Sequence, residues 1–148
     1  MNSVFTKWGR FNLQKYISIQ IEKERIETEE SLNAVVIIDY SGRFDSIAIN
    51  SQIENSSDVF KYVNLNGKKI NHPYSRLSLF KQDIPDARKI EFTVTTSHNP
   101  SNDISNAKFR VSIIQEHKEI ASDIAYLKIL KKEQNTFLST LYSKIFKP

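Results

Sequence analysis

A chain of 148 residues, 39% of them hydrophobic and 26% charged, is sized for a single folded domain and is too rich in apolar side chains to be disordered. No run approaches the ~20 apolar residues of a membrane-spanning helix. Cysteine is absent, which excludes a disulfide framework and thiolate chemistry. No apolar core follows Lys7 and Arg10, so the N-terminus is a poor signal peptide and a cytoplasmic location is expected. The net charge of +4 is segregated: residues 1–15 hold three bases and no acid, residues 128–148 hold five lysines and one acid, and residues 16–127 are left at −3.

Residues 1–15 read as a basic, aromatic N-terminal arm or short helix, with Val4, Trp8 and Phe11 at helical spacing behind Ser3 and Gly9 interrupting them. From Tyr16 the period becomes two, and Ile17, Ile19 and Ile21 alternate with polar residues as in a half-buried strand. Residues 22–30 are acid-rich and solvated. Val35 to Ile38 form a β-branched run suited to a central strand, and Ser41-Gly42 turns the chain into a strand carrying Ile47, Ile49 and Ile53. A strand over residues 59–65 meets Asn66-Gly67, the strongest hairpin signal here, because both central positions of a type I′ turn need positive φ. Strands follow near residues 68–70, 77–80 and 89–96. The turn-rich stretch 97–103 then leads to a strand over 107–115 with Phe109, Val111 and Ile113 on one face.

Seven or eight short strands at this spacing predict a mainly β fold, an antiparallel sandwich over residues 16–117 loosely like immunoglobulin-like or arrestin-like domains. No Cys–Trp–Cys spacing or other diagnostic motif assigns a family. Residues 119–147 contain neither glycine nor proline, and Ile120, Ile124, Leu127, Lys131, Gln134, Leu138, Leu141 and Ile145 alternate gaps of four and three. That spacing predicts a C-terminal amphipathic α-helix with one apolar stripe. Unbroken, it would span about 43 Å against a domain roughly 38 Å across, so it must break near residues 135–136 or project. The inner patch is expected to pack on the sheet and the outer one to meet another molecule.

The search for chemistry yields little. His72 and His98 lie in turns and read as exposed, His117 closes a strand, and none has metal-ligand spacing. Asn99, Asn102 and Asp103 supply only one carboxylate, short of a calcium loop. Three scattered glycines build no phosphate-binding loop, and no nucleophile elbow occurs. Asp39, Asp45 and Asp58 stay open as acid–base candidates. Basic pairs Lys68-Lys69 and Arg88-Lys89 could line one face, but the acidic body and the absence of an aromatic RNA-binding signature make nucleic acid a minor alternative.

The expected function is therefore a non-enzymatic protein–protein interaction or assembly module with no cofactor, metal or evident small-molecule substrate. A protein partner or a second copy would bind through the C-terminal helix, at Lys131, Gln134, Phe137, Leu138, Leu141, Tyr142 and Ile145. The alternative is an anionic membrane surface engaged by Trp8, Arg10, Lys144, Phe146 and Lys147.

Overall fold

The computed structural model of the protein describes residues 15–132. Within them ten strands form two five-stranded sheets: β1 (Ile17–Ile21), β2 (Arg25–Glu27), β3 (Leu32–Ile38), β4 (Ser46–Ile53), β5 (Lys61–Leu65), β6 (Lys68–His72), β7 (Arg76–Phe80), β8 (Lys89–Thr95), β9 (Ile104–Gln115) and β10 (Lys118–Leu130). The first sheet has the order β1-β3-β8-β5-β6 and the second β2-β10-β9-β4-β7. Every pairing is antiparallel except the short parallel contact of β2 with β10.

Alternation along the strands explains the layering, since period-two side chains face one side of a pleated sheet. In the first sheet Leu32, Ala34 and Val36 lie opposite Val94, Phe92 and Ile90, and all six are buried. In the second, Ile47, Ile49 and Ile53 on β4 match Ile113, Val111 and Ala107 on β9. The two faces meet at an aromatic cluster in which the Phe109 ring lies 4.9 Å from Phe60 and 5.8 Å from Phe92. Each such ring contributes about 1.5–3 kcal/mol by leaving water.

Two tight hairpins set the registers. Asn66 and Gly67 have φ of 51° and 84°, the left-handed pair their sequence foretold, and the Asn66 side chain accepts the Glu91 N–H at 3.0 Å. The β9–β10 hairpin is different. Glu116 and His117 occupy φ of 50° and 66° without glycine or asparagine, held in part by the Glu116 N–H bonding to Asp45 Oδ2 at 2.7 Å.

This second hairpin overturns the C-terminal helix. Residues 119–130, expected to begin it, belong instead to β10, the longest strand among the described residues, paired along its length with β9. Among the described residues there is no α-helix, only a 3₁₀ turn at Lys81–Asp83. Ile120, Ile124 and Leu127 are therefore not a helical stripe: Leu127 is core, while Ile120 and Ile124 are half-buried. The physical reason is that pairing with β9 serves one edge of β10 along its length, while the first half of its inner face stays small or polar, at Ala121, Asp123 and Ala125. Asp123 accepts the Ile19 N–H at 3.0 Å and the Lys15 ammonium at 3.1 Å, so it covers the otherwise open edge of β1. Lys131 follows β10 in extended backbone, its N–H bonded to Asp103 O at 3.1 Å. The other expected contact residues, Gln134, Phe137, Leu138, Leu141, Tyr142, Ile145, Trp8, Arg10, Lys144, Phe146 and Lys147, lie outside the described residues. Among those described, no helix is long and apolar enough to cross a membrane.

Candidate functional site

The registers define what the second sheet presents outward. Tyr126 on β10 stands opposite Lys108 on β9, which stands opposite Gln52 on β4. One row along, Lys128 lies between Arg25 of β2 and Asn106 of β9. In the other direction Ile124, Arg110, Asn50 and Arg76 form the next row. Neighbouring strands are about 4.8 Å apart and alternate residues roughly 6.7 Å apart, so five cations share a small patch of sheet.

Polar contacts hold part of this face in place. Lys128 Nζ donates to Asn106 Oδ1 at 2.9 Å, and Asn106 Nδ2 donates to Glu54 Oε1 at 3.0 Å, a ladder running across three strand ends. Arg110 donates to Glu119 at 2.6 Å and to Ser122 at 3.2 Å. Burial alone would raise the Glu119 carboxyl, but hydrogen bonds from Ser112 and Arg110 outweigh it and keep its pKa below the usual carboxylate value. Arg25, Lys108 and Arg76 make no ion pair with an acid among the described residues, while Glu54 and Glu24 line the clefts that Lys108 and Arg25 line.

Tyr126 is the centre of the patch. It is 67% exposed, and three shallow clefts meet on it. A cleft of about 320 Å³ is lined by Gln52, Glu54, Asn55 and Lys108; a second of about 320 Å³ is lined by Glu24, Arg25 and Lys128; both share Asn106 and Tyr126. The third runs toward β1, along Gln20, Ile21 and Ile124. The arrangement offers an aromatic face, amide donors and acceptors, and fixed positive charge, groups that can hold a ligand.

A second polar cluster sits at the end of the sandwich. His98 is buried, not exposed in its turn as expected: Nδ1 lies 2.7 Å from Asp58 Oδ2 and Nε2 lies 2.8 Å from Ser105 Oγ. Its backbone is tied as well, with the His98 N–H donating to Thr96 Oγ1 and Thr28 Oγ1 donating to the His98 carbonyl. The hydrogen bond from His98 holds the Asp58 carboxyl below its usual pKa. This carboxylate–imidazole–hydroxyl chain joins the loops around residues 58 and 98 to β9. Its three members line none of the clefts at Tyr126, and it closes the end of the sandwich with a polar network.

The remaining candidates disperse. His72 Nε2 donates to Arg76 O at 2.7 Å, and His117 is spent on the hairpin. Among the described residues no three His, Cys, Asp or Glu side chains gather as metal ligands. Of the basic pairs, Lys69 shares the outer face of the first sheet with Lys89, through the Lys69–Asn64–Thr93 row, but Lys89 pairs with Glu91 at 3.3 Å and Arg88 turns away to Tyr40 O at 2.7 Å. Tyr126 and Lys108 were passed over in the sequence because a helical reading of 119–147 separates them.

No protein-family model and no characterised protein sequence matches the chain. Solved structures do. A mutant of the CFA/I adhesin CfaE from enterotoxigenic E. coli superposes with a TM-score of 0.52 at 12% identity, over 78% of this chain and 48% of the adhesin. The human F-spondin reeler domain gives 0.50 at 10% identity, over 80% of this chain and 93% of that one. A conjugative transposon lipoprotein from Bacteroides eggerthii gives 0.48 at 10%, over 78% and 98%. The chain thus spans about half the length of the adhesin it matches. At such identities the likeness to the adhesin and the reeler domain is one of fold: a mainly β domain of two packed sheets.

Proposed function

We propose that the domain is a non-enzymatic binding module that holds a negatively charged partner on the outer face of its second sheet. One observation carries the reading: Tyr126, 67% exposed, stands among outward cations where three clefts meet. An exposed aromatic at the focus of a charged face is a recognised anchor for binding. The body from 16 to 127 is net negative, so positive charge concentrated on this sheet face is local, not an echo of overall composition. The two ends of the chain are themselves basic and do not supply the complementary charge. The proposal moves the contact surface away from residues 134–147 and does not depend on a cytoplasmic location.

The test is a titration of the full chain against soluble polyanions of differing chemistry: polyglutamate, a single-stranded oligonucleotide and an acidic polysaccharide. At least one should bind, weaken with salt, and weaken further in the double variant Arg25→Glu and Lys108→Glu. Failure of all three to bind removes the reading.

A further inference from the structure

We propose that the charged partner is an acidic saccharide chain, with Tyr126 as the ridge between two sugar-sized subsites. This rests on the binding-module reading above and goes further by naming the ligand class. Each cleft of about 320 Å³ has room for some ten waters at about 30 Å³ apiece, enough for one hexose-sized ring. The two subsites differ in chemistry. On one side Gln52, Asn55 and Glu54 offer amide and carboxylate groups, the equipment for a ring of hydroxyls that each donate and accept. On the other, Arg25 and Lys128 lie abreast through the parallel β2–β10 pairing with Glu24 beside them, two cations against one carboxylate, and fit a ring bearing a carboxylate or sulfate. Lys128 gives one of its three donors to Asn106 and keeps the others.

Other anionic partners fit less well. A single nucleic-acid strand is held by several aromatics stacking successive bases, whereas Tyr126 has no second ring beside it: Phe80, the other exposed ring on this face, lies on β7 in the row of Ser46 and Ile114, three rows along. A lipid surface wants an apolar wedge, and Ile124, half-buried, is the sole large aliphatic in the rows around Tyr126. An acidic peptide that binds by strand addition needs an open sheet edge, whereas the first cleft lies over β9 and β4, inside the sheet; a peptide held by its acidic side chains alone is told apart by the glutamate arm of the experiment below. An acidic saccharide is met chiefly outside the cytosol, so the proposal also predicts a location other than the cytoplasmic one expected from the sequence.

The experiment is calorimetric titration of the full chain with a hexasaccharide alternating glucuronate and N-acetylglucosamine. Parallel arms use a sulfated hexasaccharide, an uncharged one of the same length, and a glutamate peptide of equal charge. A glucuronate or sulfated chain should bind at least about tenfold more tightly than the uncharged chain and the peptide. Tyr126→Ala should weaken that binding about tenfold without changing its salt dependence, and Tyr126→Phe should restore it. Arg25→Glu should weaken it and flatten the salt dependence. Thermal unfolding of each variant, unchanged from the parent, shows that the fold is intact. Equal binding of the peptide, or indifference to Tyr126→Ala, overturns the saccharide while leaving the module standing. Absence of binding in every arm overturns the saccharide, and overturns the module as well when the single-stranded oligonucleotide also fails to bind.

Discussion

The β9–β10 hairpin places two ordinary residues where the backbone prefers glycine. Glu116 and His117, both exposed, adopt φ of 50° and 66°. Left-handed backbone costs an L-residue roughly 1–2 kcal/mol, and Asn-Gly is the pair that meets this turn with least strain. Replacing Glu116 by Asn and His117 by Gly should remove most of that cost. Against it stands the extra freedom glycine gains in the unfolded chain, about 0.5–1 kcal/mol. The net expectation is a stabilisation of about 1 kcal/mol, which for a domain of this size raises Tm by roughly 2–4 °C. The backbone bond from residue 116 to Asp45 survives the change, so Asp45→Ala serves as the opposite control and should destabilise by about 1 kcal/mol. Urea and thermal unfolding of the parent and both variants give the comparison. A double variant no more stable than the parent would refute the strained turn, and with it the pairing that makes residues 118–130 a strand.

Other consequences are as direct. Phe109→Ala empties the contact of two rings in a site with no solvent exposure and should cost about 3–5 kcal/mol, read by denaturant unfolding; a loss under 1 kcal/mol contradicts the packing. A Cβ at Gly42 would lie 2.4 Å from the Tyr40 ring, which must leave Tyr16 and Phe44 to make room. Gly42→Ala should therefore cost about 1 kcal/mol, visible as a lower Tm and a changed near-ultraviolet spectrum. Asp58 has a folded pKa below its ordinary 3.8, so its bond to His98 stabilises fully above that value and is lost as pH falls through the lower folded one. Asp58→Asn should make unfolding less steep with acid below pH 3.8, and an unchanged acid limb would argue against the pair.

Much of the β body was open to reading because its strands obey one rule at a time. Lys89 to Thr95 alternates cleanly, and Asn66-Gly67 announces its own turn. The last strand hid itself twice. The first half of its inner face carries Ala121, Asp123 and Ala125, which give no large apolar alternation, because Asp123 serves the backbone of β1 instead, and only Leu127 and Ile129 show the period of two. Meanwhile Ile120, Ile124 and Leu127 fall by chance on helical spacing, and Glu116-His117 carries no turn signal. The candidate site was illegible for a related reason. Tyr126 meets Lys108 only through that unread hairpin, and Arg25 joins them from the other end of the described chain through a strand of three residues. His98 was misjudged because its burial depends on Asp58 and Ser105, which no local pattern connects to it.

The parallel contact between β2 and β10 also bears on how the chain comes to fold. Its second strand cannot find its neighbour until nearly all of the described chain has left the ribosome, so the domain has a high contact order and should fold slowly. During synthesis β9, twelve residues long, waits with one side unpaired. Such an edge invites pairing with another nascent chain, and charges along it are the usual guard. Lys108 and Arg110 sit on that waiting strand, so the cations of the candidate site would keep the half-made protein from aggregating before they meet any ligand.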